Sequence, residues 1–313
     1  MTEVGQVGRV GPVRPGPLVW LRELRAPFFV GTVMPAVFGA AYAHYAGAVF
    51  NWPLFGLTIL GTVLTNAGLN MTNDYFDHKS GDDDLTPATP VSGGSKVIQE
   101  GLLRPGQVLA AGVVCLVLAS AVGLYLNAVT GGRMLLAVGI IGMVIAWFYT
   151  APPLKFGHRS GVGELVCVLG CGPVIAFGAY FVQARAFSWL AVFASLPIGV
   201  LMGLVLFINE FHDVHADRAV GKRTLVVVLG TRAASVVLAL TLAVAYLLTI
   251  VLVGLKILAP ASLLVLVTLP LAGYAAVRAR RHHAESPKLL PANFAVIGTH
   301  LLFGVILTLA AAL

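Results

Sequence analysis

The sequence predicts an all-α polytopic membrane protein with nine transmembrane helices around a central cleft that opens near the cytoplasmic side. Three observations lead there. Of the 313 residues, 58% are apolar and 11% charged, with a mean hydropathy of +0.91. A soluble domain carries about 25% charge, so too few charged side chains remain to cover a water-facing surface. The apolar residues gather in runs of about 20, the length that crosses a bilayer as a helix, and they do not alternate as barrel strands do. The charges fall between those runs, mostly on one side. This composition excludes a soluble cytosolic enzyme and a disordered chain. Three cysteines, Cys115, Cys167 and Cys171, all in apolar runs, exclude a disulfide framework. The net charge of +7 points to anionic lipid headgroups as a partner rather than to nucleic acid.

Residues 1–17, rich in Gly, Val, Pro and Arg, read as a flexible N-terminal leader without the features of a signal peptide. Residues 18–313 read as a single nine-helix domain. The spans fall near 26–47, 53–73, 106–129, 132–150, 164–184, 188–209, 233–255, 258–277 and 293–313. With nine crossings, 17 of the 20 Lys and Arg lie on one side, and only Arg133, Arg185 and Lys256 lie on the other. The positive-inside rule makes the rich side cytoplasmic and places the C-terminus outside, in the inner (plasma) membrane. All 13 acids share the rich side. Orientation does not require this, because acids contribute little to it.

Two acidic clusters stand out. Residues 70–84 read NMTNDYFDHKSGDDD, and residues 209–218 read NEFHDVHADR. Both hold the kernel Asn, acid, aromatic, any residue, Asp, after the second and the sixth span, which suggests a weak internal repeat. Asn73 and Asp77 are i, i+4; Asn209, Asp213 and Asp217 are i, i+4, i+8. Each set shares one helix face. Stacked oxygen ligands suit Mg²⁺, which is often shared with substrate phosphates. Carboxylates at a helix C-terminus are disfavoured by a few tenths to about 1 kcal/mol each, and a divalent cation offsets that. The run Asp82, Asp83, Asp84 fits either a metal-side position or a solvated loop face.

Basic residues lie close by on the same side: Lys79 and Lys96 after the first cluster, Arg218, Lys222 and Arg223 after the second, Lys155 after the fourth span, Arg22 and Arg25 before the first. Each suits an anion and equally an interfacial anchor. Residues 278–283 suit headgroup contact. Ser92 to Lys96 lacks P-loop spacing and reads as a flexible loop. His78, His212 and His215 complete no zinc set and read as surface or charge-tuning residues. Cys167 and Cys171 read as packing residues.

Taken together, the two Asp-rich motifs and the Tyr149 to Lys155 stretch (YTAPPLK) resemble the UbiA-type intramembrane prenyltransferases over nearly the whole chain. The motif from Asn70 to Asp83 and the stretch GELVCVLGCGP from Gly163 to Pro173 are most similar to the 1,4-dihydroxy-2-naphthoate (menaquinone) branch. The resemblance implies Mg²⁺-dependent transfer of a polyprenyl chain from a polyprenyl diphosphate to an aromatic acceptor. It implies metal ligands at Asn73, Asp77, Asn209, Asp213 and Asp217, with Asp74 and Asp83 as looser matches. It implies catalytic roles for Asp74, Asp77, Asp213, Asp217 and Lys155. Diphosphate binding falls to Lys155, Lys222, Arg223, Lys96 and Arg25, and other substrate contacts to Asn70 and Tyr149. Homogentisate, 4-hydroxybenzoate and tetrapyrrole acceptors stay open, because YTAPPLK also resembles the chlorophyll-synthase-like branch. A transporter is the rival class, and a non-catalytic isoprenoid-binding protein is a third.

Overall fold

A computed structural model describes residues 16–86, 89 and 94–313. Most of the expected leader, residues 1–15, and Ser92 and Gly93 of the expected loop lie outside the described residues. The regular structure of the described residues is helix, with no named strand.

Helix α1 (Pro17–Glu23) lies before the first span and leaves Leu18 and Leu21 exposed. A short 3-10 turn at Ala26–Phe29 leads into α2 (Val30–Tyr45). Helix α3 (Trp52–Ser80) starts on Asn51, whose side chain accepts a hydrogen bond from Leu54 N at 3.0 Å, and ends at Gly81 with φ of 82°. These are the preferred residues for the two ends of a helix. Its 29 residues span about 43 Å at 1.5 Å per residue, well beyond the ~30 Å of hydrocarbon. The first motif therefore rides on the last turns of the helix, as the shared face of Asn73 and Asp77 requires, and the helix runs past the span end expected near 73. One turn, α4 (Asp82–Leu85), follows.

Helices α5 (Pro105–Thr130) and α6 (Arg133–Phe148) form the next pair. The fifth expected span is broken into α7 (Val162–Leu169), a π-turn at Gly170–Val174, and α8 (Ile175–Ala184). Pro173 explains the break, since it has no N–H to give the helix ladder. The sixth is α9 (Trp189–Ala194) joined at Ser195 to α10 (Leu196–Ala219). It also outruns its expected end at 209 and carries the second motif as helix. After α11 (Leu225–Leu229) come α12 (Thr231–Gly254), a 3-10 stretch at Pro260–Thr268 running into α13 (Leu269–His282), and α14 (Ser286–Ala312).

Among the described residues, eight helical segments are long and apolar enough to cross a membrane. The ninth apolar helix, α6, has only 16 residues. The protein is an integral membrane protein: large apolar side chains such as Leu118, Ile140, Leu247 and Leu264 are exposed around the bundle, where water would disfavour them. Helix α10 runs through the centre, with Ile198, Leu201 and Ile208 fully buried. Its approach to the π-turn is so close that a methyl group on Gly172 would meet Gly199 Cα at 2.6 Å. The acidic end of the bundle is tied by polar contacts described below. The opposite end is closed by Gln183, which accepts from Asn51 N at 2.7 Å and donates to Asn51 O at 3.2 Å.

Candidate active site

The last turns of α3 and α10 face one cavity of about 140 Å³. The i, i+4 spacing delivers Asn73 and Asp77 from one helix and Asn209, Asp213 and Asp217 from the other. Asp82 and Asp83 of α4, Arg25, Tyr149 and Lys222 complete the wall that matters here. The two kernels, 132 positions apart from Asp77 to Asn209, thus meet in a single pocket.

One cation joins them. Lys222 Nζ lies 2.9 Å from Asp82 Oδ2 and 3.1 Å from Asp217 Oδ1. Burial alone would lower the pKa of this ammonium. The carboxylates of Asp77, Asp217 and Asp82 outweigh it and hold Lys222 well above its ordinary value, so it stays charged. The strap carrying Lys222 is pinned by Thr224 Oγ1 donating to Asp217 Oδ2 at 3.2 Å and by Leu225 N donating to Glu164 Oε1 at 2.8 Å.

A web of polar contacts surrounds the first motif. Asp74 Oδ2 accepts from Ser95 N at 2.8 Å, and Asp74 Oδ1 lies 3.6 Å from Arg25. Ser95 Oγ donates at 2.5 Å to Glu23, which is wholly buried. Lys96 donates to the Asp83 carbonyl and lies 3.8 Å from its Oδ1. Gly94, with φ of +70°, packs so tightly on Asp83 that a Cβ there would sit 2.7 Å from Oδ2. Burial, then the charge of Asp74, pushes the Glu23 carboxyl up to about 8. Burial, then Asp74 and Asp77, pushes Asp83 up to about 8 as well. Arg22 braces the same segment with two 2.6 Å contacts to Glu100.

The asparagines of the two kernels are each held through the carbonyl oxygen. Thr150 Oγ1 donates to Asn73 Oδ1 at 2.8 Å, and Asn293 Nδ2 donates to Asn209 Oδ1 at 2.8 Å.

A second, apolar cavity of about 660 Å³ runs between α3, α5, α6, α8 and α10. It shares Arg25, Asn73, Tyr149, Leu206 and Asn209 with the polar one, so the two adjoin.

Not every residue singled out from sequence reaches the polar cavity. Asn70 lines the apolar cavity and donates to Leu24 O at 3.1 Å and Asn66 Oδ1 at 3.0 Å. Asp74 and Lys96 are buried behind the wall. Lys155, with φ of 43°, and Arg223, whose N–H bonds His158 O at 3.1 Å, line neither cavity. His212 is buried in the bundle rather than at the surface. Sequence reasoning missed Glu23, Thr150 and Asn293. Glu23 sits one residue from a basic residue chosen as a candidate, and Thr150 lies within YTAPPLK; nothing local marks Asn293.

A divalent cation can be tested against these donors. Asp77 Oδ1 and Asp82 Oδ1 are buried and accept no hydrogen bond. Carboxylate and amide oxygens are the donors Mg²⁺ takes, so the set fits. Among the described residues no three His, Cys, Asp or Glu side chains form a closed metal cage. Mg²⁺ held by one or two carboxylates plus phosphate needs none.

The family model for the UbiA prenyltransferase family matches residues 32–307. A 2-carboxy-1,4-naphthoquinone phytyltransferase from Synechocystis is 27% identical over 291 residues, 92% of this chain and 91% of that one. A 1,4-dihydroxy-2-naphthoate octaprenyltransferase from Bacillus subtilis is 28% identical, covering 79% of this chain and 76% of that one. The structure of a UbiA homolog from Archaeoglobus fulgidus bound to GPP and Mg²⁺ superposes with a TM-score of 0.64 at 16% identity, over 94% of this chain and 99% of that one. The chain belongs to the UbiA prenyltransferase family and is a prenyltransferase.

Proposed function

We propose that this member of the family transfers a polyprenyl chain from a polyprenyl diphosphate to an aromatic acceptor of the 1,4-dihydroxy-2-naphthoate type, with Mg²⁺, in menaquinone biosynthesis. One observation carries the reading: a carboxylate-lined polar cavity adjoins a larger apolar one, with five wall residues in common. An isoprenoid diphosphate has that same division. Each CH₂ of its tail gains about 0.8 kcal/mol on leaving water, while its head needs cations. The naphthoate relatives support the acceptor class.

Asn73, Asp77, Asn209, Asp213 and Asp217 would hold the cation, with Asp74 and Asp83 behind them. Bound there, Mg²⁺ supplies electrostatic stabilisation of the leaving diphosphate. Lys222 and Arg25 add positive charge at the cavity wall, and Lys96, Lys155 and Arg223 raise the local positive potential from outside it. In the reaction the allylic C–O bond breaks and the diphosphate leaves with the electron pair. A C–C bond forms to an electron-rich ring carbon, which then loses a proton or a carboxyl group. Tyr149, at the junction of the cavities, borders the place where ring and allylic carbon meet. The described part of the segment before α5, together with the Lys222 strap, keeps water from the allylic cation. The positive-inside pattern supports a cytoplasmic site and a C-terminus outside. A transporter reading is weaker, since the acids gather at one end of the bundle and transporter sites lie near the midplane.

Purified protein given Mg²⁺, geranylgeranyl diphosphate and an acceptor panel of 1,4-dihydroxy-2-naphthoate, 4-hydroxybenzoate and homogentisate should yield the prenylated naphthalene by mass spectrometry, and EDTA should stop it. Preference for another acceptor overturns the naphthoate assignment. Turnover that survives thorough chelation overturns the metal.

A further inference from the structure

The interface between α10 and α14 contains a polar chain that the proposed reaction does not use. Asn293 is wholly buried and His212 nearly so. Asn293 Nδ2 donates to Asn209 Oδ1 at 2.8 Å, which leaves Asn293 Oδ1 as an acceptor. His212 Nε2 lies 2.9 Å from that oxygen and must be its donor. In the neutral imidazole His212 Nδ1 is then an acceptor, and Ser286 Oγ lies 2.5 Å away to supply the proton. The chain therefore runs in one sense, from Ser286 through His212 and Asn293 to Asn209.

Its end point is informative. Asn209 is one of five residues that face both cavities, and its carboxamide can turn about its last bond unless something holds it. Burying His212 and Asn293 between two membrane helices is unfavourable unless each is satisfied; simple helix packing would use apolar residues. The first motif has the same device with a shorter arm, Thr150 Oγ1 on Asn73 Oδ1. In both kernels a donor from another segment fixes the asparagine carbonyl.

We infer that Ser286, His212 and Asn293 form a positioning relay that orients the Asn209 carboxamide toward the Mg²⁺–diphosphate of the substrate. The inference rests on the proposed function. None of the three touches substrate; they act through Asn209.

The test uses the full-length protein in detergent and the double variant His212→Leu/Asn293→Leu. Replacing both partners of a buried polar contact by apolar groups of similar size is close to neutral for stability. Three readouts are compared: thermal unfolding, calorimetric affinity for Mg²⁺–pyrophosphate, and the kinetic constants for the aromatic acceptor. The relay predicts an unfolding midpoint at or above wild type, affinity for Mg²⁺–pyrophosphate weakened about tenfold, the scale of one lost hydrogen bond to a charged group, a lower kcat and an unchanged acceptor KM. Wild-type affinity in the double variant overturns it. So does a lower midpoint with affinity intact, the mark of a purely structural contact. If the double variant does not fold, Asn293→Ala decides by the same affinity measurement: a loss supports the relay and retention overturns it. If the wild-type protein itself fails to bind Mg²⁺–pyrophosphate, the functional reading falls first and the relay with it.

Discussion

The two acidic motifs share a kernel yet are held in opposite ways. The first, on α3, is gripped from outside the bundle: Ser95, Lys96 and Arg25 reach Asp74 and Asp83, and Glu23 holds Ser95 in turn. The second, on α10, is gripped from within, by Asn293 of α14 and by the strap that bears Lys222. The kernel spacing sets which oxygens share a face. The surroundings set how each face can loosen. A grip that includes the buried carboxyl of Glu23, held near a pKa of about 8, responds to pH, whereas the Asn293 contact inside the packed bundle responds to changes of side-chain volume.

The sharpest way to break this comparison is to remove one carboxylate from each motif. Asp77→Ala and Asp213→Ala should each lower turnover by at least about 10²-fold, while size-exclusion profiles stay those of wild type. If only one of them does so in a product assay, the motifs are not equivalent halves of one site. The next test removes their shared cation. Lys222→Met leaves Asp217 and Asp82, both under 6% exposed, facing each other without a counter-charge. Breaking a buried pair in this way costs about 3–5 kcal/mol, so the unfolding midpoint should fall, and added Mg²⁺ should recover more of it than in wild type. A variant that melts like wild type excludes Lys222 as the charge that joins the motifs.

The mildest test separates the outer grip from the inner one by pH. Glu23 has a folded pKa of about 8 against an ordinary 4.5. The folded state therefore binds more protons than the unfolded state between those values. The stability this contributes is full below about 4.5 and is lost as pH rises to about 8. Glu23→Gln cannot titrate, and its carbonyl can still accept from Ser95. Its midpoint should decline less than that of wild type across that window, and parallel curves for the two proteins would exclude Glu23 as the source.

The sequence showed the spans and the motifs because both depend on local pattern. Hydropathy over 20 residues and i, i+4 spacing are visible without a fold, and so is the pairing of the motifs once their spans are given one direction. What stayed hidden depends on distant partners. Glu23 meets Ser95 across 72 positions, and His212 meets Asn293 across 81. A histidine beside an aspartate looks like a surface residue until α14 packs against it. Lys155, a candidate both as a basic residue beside the motifs and by resemblance, has a left-handed backbone and lines neither cavity. The expected span ends fall too early because hydropathy drops where the polar motifs begin, although the i, i+4 spacing already places the motif residues on helix faces. Both helices instead continue past the hydrocarbon.

Among the described residues, α6 is the apolar helix that falls short of the eight spanning segments in length, and it forms a wall of the larger cavity. Its 16 residues reach about 24 Å, some 6 Å less than the oily layer around it. Such a deficit is met by lipids crowding thinner against the protein or by flanking polar groups dipping inward. The mismatch thus falls beside the cavity proposed to take the hydrocarbon tail, and on that proposal turnover should depend on acyl-chain length in the host membrane.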